Sequence, residues 1–273
     1  MRGLFTAGVI DTFLEQNIKI DAIIGVSAGA LFGANYYSKQ IGRAIRYNKK
    51  YCKDIRYISI ASYLITGNIV NKNFAFYKLN NSIDKFDDET FKKSKGDFFV
   101  TVTNVETGLP EYIKISSCLE ELELLRATSS IPLVSKIVDY NGSKYLDGAI
   151  SDSIPVKKAL EMGYDKVIVV LTRPLNYKKE QYNEKILNRI KKEYKEYPKF
   201  IEAMENRYKM YNNETKYIKE LEKNNRIFVI RPSRDLDVKV VERNRDKLQK
   251  VYDLGKDESS NCMDKLKEFL YWF

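Results

Sequence analysis

The most restrictive stretch of the chain is Ile20-Asp21-Ala22-Ile23-Ile24-Gly25-Val26, which passes without a break into Ser27-Ala28-Gly29-Ala30-Leu31-Phe32-Gly33-Ala34. A short, β-branched apolar run of this kind is a strand covered on both faces, as in the middle of a parallel sheet. The small and apolar residues after it make a helix that can lie close against such a strand. A covered strand feeding a buried helix confines the fold to layered α/β architectures.

The rest of the chain alternates in the same way. Leu4, Phe5, Ile10, Phe13 and Leu14 keep a helical repeat over residues 4–14. Residues 98–103 and 111–115 read as a hairpin, residues 119–127 as a helix, and 136–140 with 144–146 as a second hairpin around Asn141-Gly142. Pro155 opens a helix for which Ser153 is the expected cap and Gly163 the stop, and residues 166–171 form another apolar strand. Residues 177–224 are rich in Lys, Glu and Tyr and read as helix interrupted at Pro198, 226–230 as a strand returning to the sheet, and 240–273 as two helices around Gly255. Residues 41–97 offer no clear periodicity. The composition changes near residue 175, so the expected layout is an α/β part over 1–175 and a helical part with one strand over 176–273.

With 273 residues the chain can build one large core, and 44% hydrophobic against 31% charged residues is an ordinary globular balance. There is no histidine. A Ser-His-Asp triad, a Cys-His pair and histidine-ligated metals are therefore excluded. Cys52, Cys118 and Cys262 are far apart with no CxxC spacing, which suits a reducing cytoplasm and forms neither a zinc set nor a disulfide framework. No metal and no cofactor are expected. Asp11 and Glu15 follow the apolar start too closely for a signal peptide, and no run is long enough to span a bilayer, so any membrane contact would be peripheral, at the inner surface. The net charge of +10 favours anionic partners, but no basic stripe with interleaved aromatics or recognised module supports nucleic-acid binding. The oligomeric state is open.

Gly25-Val26-Ser27-Ala28-Gly29 is a Gly-x-Ser-x-Gly set between strand and helix, the context of a nucleophile elbow. Glycines allow the tight turn, and the helix N-terminus favours both an alkoxide and an oxyanion. A Gly/Ser-rich turn without chemistry, or one that cradles a phosphate, fits the same residues. Without histidine the base for such a serine must be a carboxylate or a lysine. Tyr145-Leu146-Asp147-Gly148-Ala149 puts Asp147 at a strand end before two small residues, where an ordinary turn aspartate would also stand. Asp139 and Asp152 are its rivals, the first preceding the hairpin turn and the second placed like a helix cap.

Taken together, Gly25 to Gly29, the Asp147-Gly148-Ala149 triplet, Met1-Arg2-Gly3-Leu4 with Ala7-Gly8-Val9, Ser129-Ser130-Ile131-Pro132 and Ser151-Asp152-Ser153-Ile154-Pro155-Val156 resemble the patatin-like phospholipase family over residues 1–175. The resemblance implies a three-layer α/β fold with a central, mostly parallel sheet between helices. It also implies a calcium-independent serine acyl hydrolase acting on fatty-acyl esters of lipids, with Ser27 as nucleophile and Asp147 as proton acceptor. In that family a glycine-rich loop after a first strand holds the oxyanion. Met1-Arg2-Gly3 match only the end of that loop, so Arg2 and Gly3 with Gly25, Ala28 and Gly29 are the oxyanion and elbow candidates here, and a weakly active or inactive lipid-binding or scaffolding relative is the alternative. Residues 240–273 resemble a C-terminal helical extension of some bacterial members. The aromatics Tyr182, Tyr194, Tyr197, Phe200, Tyr208, Tyr211 and Tyr217 are either a lipid-facing surface or the packed side of a helix, and the apolar end Phe269 to Phe273 is most simply a docked terminus.

Overall fold

The computed structural model describes residues 1–271. The apolar repeat of α1 (Leu4–Glu15) is buried along most of its length, and Asn17, at φ 52°, turns the chain back towards β1 (Ala22–Val26). The small-residue helix α2 (Ala28–Tyr37) follows at once. The segment without clear periodicity holds α3 (Arg43–Tyr51), α4 (Ile60–Thr66), a wide π-type helix (Lys72–Ile83) and α5 (Asp88–Lys92). Tyr47, Tyr57, Phe74 and Leu79 from this segment join the apolar cluster around Leu4 and Phe5, so burial on the body, more than local preference, sets its course.

Next come β2 (Asp97–Asn104), β3 (Pro110–Ile115), α6 (Leu122–Thr128), β4 (Val138–Tyr140) and β5 (Ser143–Asp147). Asn141 and Gly142 both take positive φ, 49° and 79°, which closes the β4–β5 hairpin as a primed two-residue turn. A 3₁₀ turn (Gly148–Ile150) leads to α7 (Val156–Glu161) and β6 (Val167–Val170). The last part contains α8 (Glu184–Glu193), α9 (Pro198–Lys223), β7 (Ile227–Ile230), α10 (Arg245–Asn261) and α11 (Met263–Tyr271).

Strands and helices form the expected α/β arrangement, with the strands in two pieces. In the larger, β2 is central. It runs parallel to β1, with Val26 opposite Thr101, and antiparallel to β5, with Val102 opposite Asp147. β3 pairs antiparallel with the same residues of β2, so β1 and β5 share its other edge, end to end. The smaller piece is β6 parallel to β7, Val167 opposite Ile227, so the returning strand joins β6 and no strand of the β2 sheet. A cleft of about 970 Å³ runs between the two pieces, with all of β1 and β6 along its walls. The cleft follows both strands along their length and reaches the turn after β1 and the chain after β6.

Two local expectations change. Gly255 does not separate two helices: α10 runs through it, and the break comes at Cys262. The glycine is there because α1 crosses so closely that a Cβ at Gly255 would stand 2.1 Å from the Phe5 carbonyl oxygen, while one at Gly8 would stand 2.2 Å from that of Tyr252. Ser153 does not cap α7, whose N-cap is Pro155; its hydroxyl donates to the Ala149 carbonyl. The aromatics of α8, α9 and their surroundings face inward: Tyr194 and Phe200 are buried edge to face at 4.9 Å. Phe269 packs on Phe228 at 5.8 Å as a docked helix end does, whereas Trp272 and Phe273 lie outside the described residues. Among the described residues no helix is long and apolar enough to cross a membrane.

Candidate active site

Val26 ends β1, which is half-buried along the cleft rather than covered on both faces, and Ala28 begins α2, leaving Ser27 alone to make the turn. It does so at φ 53°, ψ −124°, a conformation that costs a non-glycine residue about 1–3 kcal/mol. Gly25 makes the turn possible, since a Cβ there would lie 2.4 Å from Ala30 Cα. Gly29 is different, because a Cβ there would meet nothing, so this side of the turn is open. Gly3 packs under the first turn of α2, where a Cβ would stand 2.6 Å from that of Ala28.

The register of β2 supplies the partner. Thr101 and Val102 are neighbours in β2, and their opposite residues are Val26 and Asp147, so the residue after Val26 arrives beside Asp147. Ser27 Oγ donates to Asp147 Oδ2 at 2.9 Å, while Asp147 Oδ1 accepts from the Ala149 N–H at 2.9 Å. Gly148 is required between them, because a Cβ would stand 2.2 Å from the Thr101 carbonyl oxygen. The Asp147 main chain is anchored on both sides: its N–H donates to Ser130 O at 3.0 Å, and its carbonyl accepts from Thr103 Oγ1 at 2.9 Å. Burial pushes the Asp147 carboxyl above the ordinary aspartate value, against the pull of the Ala149 N–H, the positive charge of Arg207 and the Ser27 hydroxyl. A carboxylate so placed is a stronger base than one in water and can accept a hydroxyl proton.

The rival carboxylates stand elsewhere. Asp139 is exposed on β4. Asp152 accepts from the Tyr112 hydroxyl at 2.5 Å and from the Ile154 N–H at 3.2 Å, which occupies it with structure.

Several neighbours of the pair carry no sequence motif. The Thr128 hydroxyl accepts the Ser27 N–H at 2.8 Å and donates to Thr101 O at 2.6 Å, tying the turn to β2. Arg207, from the middle of α9, donates Nε–H to the Ala149 carbonyl at 2.8 Å and a terminal N–H to the Tyr182 hydroxyl at 2.8 Å. Arg2, Arg173 and Lys179 line the cleft together with Ser27 and Arg207. Arg2 stands in the Met1-Arg2-Gly3-Leu4 match and Arg173 just after a strand end, whereas Lys179 and Arg207 are lost among the many lysines and arginines of their region. Among the described residues no three His, Cys, Asp or Glu side chains gather as metal ligands.

The family model of patatin-like phospholipases matches residues 1–160, and a model for a domain of unknown function matches residues 197–271. The Uncharacterized protein YjjU of Escherichia coli K12 is 28% identical over 177 residues, which is 63% of this chain and 49% of that protein. Two proteins named Lysophospholipase NTE1, from Meyerozyma guilliermondii and Debaryomyces hansenii, are each 26% identical over 175 residues, 62% of this chain and 12% and 11% of theirs. The matched part thus spans about half the length of the first relative and roughly a tenth of the other two.

Proposed function

Since the chain belongs to the patatin-like phospholipase family, we propose that it is a serine acyl hydrolase of fatty-acyl lipid esters, with Ser27 as nucleophile and Asp147 as its base. The observation that carries this reading is the 2.9 Å bond from Ser27 Oγ to Asp147 Oδ2 at the open N-terminus of α2. Asp147 Oδ2 takes the hydroxyl proton as Ser27 Oγ bonds to the ester carbonyl carbon. The carbonyl oxygen then carries the charge, and it faces the positive end of α2, whose first amides have no intrahelical acceptor. Collapse expels the alcohol, which leaves with the proton from Asp147. Water, deprotonated by the same carboxylate, attacks the acyl-serine, and the proton returns to Ser27 as the fatty acid departs. The Ala149 N–H holds the carboxylate in place through both halves.

A fluorophosphonate probe followed by peptide mass spectrometry tests the reading. Labelling confined to Ser27, abolished in Ser27→Ala and in Asp147→Asn, together with ester hydrolysis that falls in the same variants, is the expected result. A folded protein that takes no label and hydrolyses no ester belongs instead to the lipid-binding alternative, towards which one observation leans: the Ser27 N–H is already engaged by Thr128 and is not free for an oxyanion.

A further inference from the structure

Where β6 ends, the chain carries Arg173 and then Lys179 into the mouth of the cleft; Arg207 reaches it from α9 and Arg2 from the start of the chain. The four cations are close enough to repel one another. Burial, and then the charges of Arg207, Arg2 and Arg173, lower the Lys179 ammonium to about 8, and Arg2 is lowered by burial and by Arg173 and Arg207. The protein offsets them only in part, through the Asp147 carboxylate that Arg207 acts on. Among the described residues Arg2, Lys179 and Arg207 have no carboxylate within ion-pair distance, and Arg173 has one partner, Asp235 at 3.6 Å, which is 72% exposed. Glu214 lies on the same helix as Arg207, but burial and the adjacent Asp152 carboxylate push its carboxyl up, away from the charged form.

Donors are left over. Arg2 Nε is buried with no acceptor, and Arg207 has a terminal nitrogen to spare after serving Ala149 and Tyr182. The positions are built. Arg173 stacks 4.1 Å over the Tyr177 ring and Lys179 lies 5.2 Å from that of Tyr211, while these two rings pack edge to face at 5.8 Å. The Lys179 backbone is clamped by Asn212, which accepts its N–H at 2.9 Å and donates to its carbonyl at 3.0 Å. Half-buried cations that repel, have spare donors and are fixed by stacking are arranged for an anion with several oxygens.

We propose that Arg2, Arg173, Lys179 and Arg207 form a subsite for the phosphate of a glycerophospholipid, beside the acyl ester that Ser27 attacks. Arg207 is bonded to Ala149, which is bonded to Asp147, so the subsite begins one short bridge from the reacting serine. The glycerol backbone places its phosphate only a few bonds from its acyl esters, which matches that proximity. The assignment rests on the acyl hydrolase reading for the position of the ester, though not for the anion site itself.

Two measurements test it. In the first, Ser27→Ala protein is titrated calorimetrically with glycerol 3-phosphate and with inorganic phosphate. Glycerol 3-phosphate should bind, inorganic phosphate more weakly, and Lys179→Gln or Arg173→Gln should each weaken glycerol 3-phosphate by about tenfold or more, with Lys179→Arg retaining it. Equal binding of both ligands would make this a free-phosphate site, and no binding of either would overturn the subsite. In the second, the protein is given oleoyl-lysophosphatidylglycerol and monooleoylglycerol, and the ratio of the two kcat/KM values is read. Lys179→Gln and Arg173→Gln should bring the ratio down towards one; a ratio that does not move in variants with unchanged circular dichroism refutes the headgroup assignment. If no ester is hydrolysed while the calorimetric losses are as expected, the acyl hydrolase reading fails and the anion site stands.

Discussion

Ser27 and Asp147 are each held in a costly state. Ser27 sits at positive φ without being glycine, and Asp147 is 6% exposed with its charged form disfavoured by burial. Both costs serve one hydrogen bond. A raised folded-state pKa means that ionising Asp147 costs stability: the group favours folding below its unfolded pKa of about 4 and loses that contribution as pH rises through and above that range. Asp147→Asn should therefore raise the melting temperature at pH 7 and have little effect near pH 3, as thermal denaturation at the two pH values will show. Activity has the opposite sign. The base must be ionised, so kcat/KM on a short aryl ester should fall on the acid side with an apparent pKa above the usual aspartate value. With no histidine in the chain, an imidazole inflection has no source. At neutral pH Asp147→Asn should lower kcat/KM by about 10²–10⁴-fold, the range for a positioned general base. A melting temperature that drops at pH 7 on this substitution would contradict the electrostatic account.

Glycines decide how closely the elements approach. In an exposed helix Gly→Ala commonly stabilises by about 0.4–1 kcal/mol, through the unfolded chain and helix propensity. Gly255 lies in the middle of α10, yet its missing side chain is where the α1 backbone passes, 2.1 Å from a hypothetical Cβ. Tyr252, one turn earlier, donates to Asp11 Oδ2 on α1 at 2.6 Å and fixes the crossing from the polar side. Gly255→Ala should thus destabilise by about 1–3 kcal/mol, the usual cost of overpacking, measured by urea unfolding. A neutral or stabilising result would mean that α10 can slide away from α1. The crossing also shows how an element is misread. A glycine within a Lys- and Asp-rich helix looks like a stop, and nothing local distinguishes a C-terminal cap from a contact point when the contact is about 250 residues away in sequence.

At the scale of the whole molecule, the two pieces of sheet and the cleft between them collect side chains from the start, the middle and the last third of the chain. No group of metal-ligand type assembles among the described residues. Hydrolysis through Ser27 should therefore survive EDTA, and strong inhibition reversed by calcium would refute the mechanism. The apolar run ending at Val26, the Gly-x-Ser-x-Gly turn and the Asn141-Gly142 hairpin were legible in the sequence because each is set by backbone sterics within a few residues: which φ a residue tolerates, which periodicity buries it. Asp147 reads locally as an ordinary turn aspartate, and only the family resemblance singles it out. The absence of histidine narrowed the chemistry to a carboxylate or lysine base in the same direct way. Tertiary structure alone decided the rest. It was the register of β2 that set Val26 and Asp147 opposite consecutive residues and so brought Ser27 within 2.9 Å of its partner; packing on the body gave residues 41–97 their helices; and the fold gathered Arg2, Arg173, Lys179 and Arg207 around one cleft. Strand register and the meeting of distant cations depend on contacts spanning tens to hundreds of residues, and their energies are sums over the packed molecule that no local window of sequence contains.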